Sequence, residues 1–106
     1  MEVKVIVRGV EDAASVRGHA QKRVETALKR YAGEIAKATV RLIDETGPRK
    51  EKDDKVCSIE LTVKGAPVRV REVSNDFKTS ISLALGRVRT VLSREMGRRK
   101  RGIGAG

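Results

Sequence analysis

Residues 75–101 read NDFKTSISLALGRVRTVLSREMGRRKR and carry an apolar stripe that cannot stay open to water. Phe77, Ile81, Leu85, Val88, Leu92 and Met96 recur at helical spacing, on one face of a helix. So long a stripe needs a layer of other elements to cover it, and the rest of the chain must supply that layer. Ser74 is a candidate N-cap for this helix, and Asp76 falls in its first turn, where the helix dipole favours a carboxylate. Gly97 is expected to start fraying the helix, and GIGAG at the end has no side chain to anchor it.

The covering layer is written in period two. Val3, Val5 and Val7 alternate with Lys4, Ile6 and Arg8 over residues 2–8, which predicts a strand closed by Gly9. Asp12 can cap a helix running to about Ala32, whose core face is Val16, Ala20, Val24, Ala27, Leu28 and Tyr31. Gly18 weakens its first turn, and Gly33 suits the C′ position. A second strand is predicted over 37–44, with Ala38, Val40 and Leu42 on one side. The stretch DETGPRKEKDDK, 44–55, has no apolar residue and reads as a loop in water. Strand three, 56–64, points Cys57, Ile59, Leu61 and Val63 inward. Gly65-Ala66 turns the chain, and Pro67 opens a fourth strand with Val68 and Val70 inward, completing a hairpin.

The fold class is therefore α+β, in the order β-α-β-β-β-α, a four-stranded sheet with two helices packed on one face. A chain of 106 residues supports one modest core. The division expected is a domain over 1–97 and a basic, flexible tail over 98–106. Tyr31 and Phe77 are the only aromatics, so aliphatic residues and Ala must build the core. A single Cys excludes an intramolecular disulfide, and Cys57 is expected to be buried and inert. No apolar run is long enough to cross a membrane, and the N-terminus reads as a strand, not a signal peptide, so the cytoplasm is the expected location.

Charge carries the functional argument. From Asp76 onward eight Lys or Arg stand against two acids, a net +6 of the chain's +10. At about 100° per residue, Arg94, Arg98 and Arg101 fall within about 40° of Arg87, on a ridge pointing off the core. A merely solvated helix face mixes Glu with Lys, whereas this ridge has no acid, so a polyanion is the expected partner. Guanidinium groups suit bidentate contact with phosphate. The first helix adds Arg23 and Arg30 beside its apolar face, with Lys22 and Lys29 on its exposed back; His19, near Arg23, reads as a surface residue. Lys78 and Arg89 complete the candidate set.

Lys4, Arg8, Arg41, Lys64, Arg69 and Arg71 point away from the helices on the open sheet face, with Glu60 the main exception. That face has no aromatic on which RNA bases could stack, which leaves phosphate contacts from its rim. One His and one Cys assemble no catalytic triad or metal set, so neither an enzyme nor a cofactor is expected. GIGAG follows a helix, not a strand, and is no phosphate loop.

Two passages, VIVRGVED…SVRGHAQKRVETALKRYAGEI over 5–35 and VREVSNDFKTSISLALGRVRTVLSREM over 70–96, resemble the short ribosome hibernation promoting factor family. That family is also called ribosome-associated inhibitor A or sigma-54 modulation proteins. The resemblance covers 2–100 and rests on Asp76-Phe77-Lys78, Ile81, Leu85, Arg87-Val88, Leu92 and Arg94. Lys78 stands where the family usually has an aromatic. Thr90-Val91 replaces its Arg-Gln pair, with Arg89 one step earlier. Arg87 and Arg94 carry over directly, and Arg23 more loosely.

The resemblance implies a partner, the rRNA of the small ribosomal subunit, bound in the channel used by mRNA and tRNA. It implies a translation inhibitor acting in stress or stationary phase by occupancy, without catalysis, membrane or small-molecule substrate. The dimerisation domain of longer members is expected to be absent, and the chain to be a monomer. Two readings stand beside it: a generic RNA- or DNA-binding module of ribosome assembly or double-stranded-RNA-binding type, and a small nuclease.

Overall fold

A computed structural model describes residues 1–45, 54–64 and 66–105, with side chains over the same ranges except 66 and 97–105. The elements are β1 (Glu2–Arg8), α1 (Ala13–Leu28), a 3-10 turn (Lys29–Tyr31), β2 (Ile35–Asp44), β3 (Lys55–Val63), β4 (Ala66–Ser74) and α2 (Phe77–Ala105). They form one four-stranded sheet in the order β1-β2-β3-β4. β1 and β2 pair in parallel, which requires a crossover, and α1 is that crossover. The β2–β3 and β3–β4 pairs are antiparallel. The expected β-α-β-β-β-α order and the α+β class are what the chain adopts.

Both helices cover the same sheet face, and the core lies between the layers. Ala20, Val24 and Leu28 of α1 and Ile81, Ala84, Leu85, Val88 and Leu92 of α2 meet Ala38, Val40, Leu42, Cys57, Ile59 and Leu61 of the sheet. Phe77, Tyr31 and Val16 are only partly buried at its margin. Ser80 is the one buried polar side chain among the described residues, and its hydroxyl donates to the Phe77 carbonyl at 3.2 Å.

Local departures from the expected elements have local causes. Ser74 ends β4, and Asp76 caps α2: its Oδ1 accepts the Thr79 backbone N–H at 2.8 Å, and its Oδ2 accepts the Thr79 hydroxyl at 2.9 Å. Asp12 does stand at the N-cap of α1, yet its side chain makes no capping bond. α1 ends at Leu28, four residues early, where the chain tightens into a 3-10 turn in which Lys29 O accepts the Ala32 N–H at 3.2 Å. Gly33 therefore needs no left-handed conformation. Gly9 does take one, at φ 70°, in the bend that follows β1. β2 starts at Ile35, two residues early, next to a register irregularity between Ile35 and Lys37. α2 continues past Gly97 to Ala105. Residues 46–53 of the expected polar loop and Gly65 of the expected turn lie outside the described residues.

Candidate nucleic-acid interface

α1 and α2 lie side by side on the sheet, and the Arg23 guanidinium joins them by donating to the Ser82 hydroxyl at 3.2 Å. Where the 3-10 turn after α1 faces the middle of α2, a groove of about 500 Å³ opens. Arg30, Arg89 and Arg94 line it with Tyr31, Gly86, Thr90 and Ser93. A second concavity of about 420 Å³ runs along α2 itself, lined by Ser82, Leu83, Arg87 and Val91 and sharing Gly86, Thr90 and Arg94. A third, about 230 Å³, is lined by His19, Lys22, Arg23 and Thr26 of α1. Among the described residues no carboxylate lines any of the three.

The candidate cations are divided by their partners. Arg30, Arg89 and Arg94 are exposed and, among the described residues, have no hydrogen-bond or carboxylate partner. Arg87 is engaged: its Nη1 donates to Glu72 Oε1 at 2.9 Å and to the Arg71 carbonyl at 3.4 Å. Helical phase puts Arg87 and Arg94 on one ridge, and they do share the second concavity, yet Glu72 on β4 neutralises Arg87. Lys22 sits with His19 and Arg23, while Lys29 and Lys78 are exposed and line none of the three concavities. Arg98 and Arg101 lie outside the described side chains.

The open sheet face is better balanced than its cation count implies. Arg69 pairs with Glu60 at 3.3 Å and Arg71 with Glu45 at 3.5 Å. Across that face Ile43, Val56 and Val73 fall in register; Val56 is 2% exposed although it points away from the helix layer. Cys57 and Asp76, away from the concavities, have displaced pKa values. Burial pushes the Cys57 thiol up to about 12, so it stays protonated and unreactive. The Thr79 backbone N–H, then its hydroxyl, hold the Asp76 carboxyl below its ordinary value. Among the described residues no three His, Cys, Asp or Glu side chains come together as metal ligands, and no helix is long and apolar enough to cross a membrane.

Gly86, Tyr31, Thr90 and Ser93 were not among the expected site residues. Helical phase sets the last two and Gly86 off the core, beside Arg89, but which flank of α2 meets α1 is decided only by packing. Sheet, helix pair and a groove without a carboxylate among its described lining residues together define a small basic α+β domain with a cationic surface on its helix layer.

The family model described as sigma 54 modulation protein / S30EA ribosomal protein matches residues 3–100, and the chain belongs to that family. Among solved structures, a ribosomal subunit interface protein from Coxiella burnetii is similar, with a TM-score of 0.71 and 17% identity over 92% of this chain and 99% of that one. The N-terminal domain of Protein Y from Thermus thermophilus is similar too, with a TM-score of 0.70 and 25% identity over 89% of this chain and 98% of that one. No curated protein sequence matches.

Proposed function

We propose that this chain associates with the ribosome and inhibits translation by binding rRNA in the mRNA–tRNA channel of the small subunit, under stress or in stationary phase. Membership of the S30EA family over residues 3–100 carries the reading, and the proteins of similar structure include one named for the ribosomal subunit interface. The helix layer fits the role. Three guanidiniums without acidic partners among the described residues line a groove about 500 Å³ in size, and phosphate is the anion their fork geometry matches. The domain acts by occupancy, as a monomer in the cytoplasm: it fills space that mRNA and the tRNA anticodon stem need, and it requires no chemical step. Its rRNA contacts are made largely to the backbone by Arg30, Arg89 and Arg94, supplemented by Arg23, Lys22, Lys29, Lys78, Arg87, Arg98 and Arg101, so salt weakens them.

The test is sedimentation with purified ribosomal subunits. The chain should co-migrate with small subunits at low salt, leave them at high salt, and be displaced by mRNA with tRNA. If it remains at the top of the gradient at low salt while still binding naked duplex RNA, it is a generic RNA-binding module instead.

A further inference from the structure

Gly86 lies in the interior of α2, where glycine costs helix stability relative to alanine. The fold does not require it: a Cβ built there meets nothing within 4 Å, and the backbone is not in the left-handed region. Packing gives no reason for the missing side chain. What the missing side chain does is join two concavities. Gly86 and Thr90, one turn apart, line both the groove facing α1 and the concavity along α2 that Arg87 borders. Thr90 is short, and its hydroxyl is turned back to donate to the Gly86 carbonyl at 3.1 Å. α2 therefore has a low saddle here. Arg30 and Arg89 stand on the α1 side of it, Arg87 on the β4 side, and Arg94 borders both.

From this the geometry points to the Gly86 saddle as the place where one phosphodiester strand of RNA crosses α2. The strand passes from one concavity to the other with its backbone against the bare helix. One phosphate rests in the groove between Arg30, Arg89 and Arg94, where the Ser93 hydroxyl can donate to it. A glycine permits this closeness because no Cβ holds the ligand away from the helix backbone. The binding polarity follows from the lining: among the described residues Arg30, Arg89 and Arg94 face the groove without a carboxylate partner, Arg94 also borders the second concavity, and Arg87 beyond it is held by Glu72. The inference rests on the ribosome-binding reading for the identity of the RNA, but not for the crossing itself.

The crossing is tested with Gly86→Gln, a neutral helix former that fills the saddle. Thermal melting should rise, because the glycine is gone and nothing obstructs the new Cβ. Affinity for a fluorescein-labelled single-stranded oligoribonucleotide of mixed sequence, read by anisotropy at fixed salt, should fall by at least about tenfold. Wild-type affinity in a folded Gly86→Gln protein overturns the proposal. If that variant does not fold, Gly86→Ala replaces it: weakening by about threefold upholds the crossing and unchanged affinity refutes it. Inorganic pyrophosphate separates a strand from a free anion. Thermal stabilisation of the wild type by pyrophosphate that is lost in Gly86→Gln, with oligonucleotide binding intact, makes the groove a free-anion pocket and overturns the proposal. Loss of oligonucleotide binding in Gly86→Gln, with a wild type that never co-sediments with small subunits, upholds the crossing and removes the ribosome as its target.

Discussion

Replacing Arg30, Arg89 and Arg94 together by Gln should change how binding responds to salt more than it changes the fold. All three side chains line one groove and have no partner among the described residues, so each is available to displace a counterion from RNA. Each neutralised phosphate on single-stranded RNA contributes about −0.7 to the slope of log affinity against log salt. Three contacts give about −2, which alone weakens binding roughly 20-fold between about 50 and 200 mM salt. The triple variant should lose about that much slope and keep the wild-type melting temperature. Arg87→Gln is the control. Its guanidinium already faces Glu72 at 2.9 Å, so it contributes less than one free contact to the slope. It should instead cost about 0.2–1 kcal/mol of folding stability, as expected of an exposed ion pair. Anisotropy titrations at four or five salt concentrations measure the slope, and thermal melts measure the fold. A triple variant with wild-type slope, or an Arg87→Gln protein that loses as much as the triple, would refute the reasoning.

Two further predictions concern titrating groups. Cys57 has a folded pKa of about 12 against an ordinary 9.0, so its contribution to stability is complete below pH 9.0 and is lost as pH rises toward 12. Each pH unit in that window should remove up to about 1.4 kcal/mol in the wild type but not in Cys57→Ala, as measured by urea unfolding; parallel pH profiles would contradict the assignment. Asp76 has a lowered folded pKa, so its cap stabilises above the ordinary value of 3.8 and fades as pH falls through the lowered folded value. Asp76→Ala should melt below the wild type at pH 7, and the gap should close in acid; a gap that persists undiminished would show that the carboxylate charge is not its source.

Much of the fold can be read from period alone. The alternation of Val3, Val5 and Val7 and the stripe from Phe77 to Leu92 each name the face that must be buried, because burial of those positions is the main favourable free energy available to the chain. Caps and element ends were less legible. Ser74 and Asp76 are both capping residues, and which one caps depends on how far β4 pairs with β3: the ladder takes Ser74 opposite Lys55 and leaves Asp76 for the helix. Val56 shows the same limit. Its outward phase is clear from alternation, but that it is buried there, in register with Ile43 and Val73, is seen only in the folded sheet.

The basic second helix was determined by the sequence itself: a local period of 3.6 residues sorts Phe77, Leu85 and Leu92 from Arg87 and Arg94 without reference to any other element. Which of those arginines can meet a polyanion was decided only by tertiary structure. Glu72 is fifteen residues from Arg87 along the chain and Arg30 is fifty-nine from Arg89, so neither the pairing that occupies Arg87 nor the groove that gathers Arg30, Arg89 and Arg94 exists until both helices pack on the sheet. Charge is a property of residues, but electrostatic availability depends on what stands a few ångströms away.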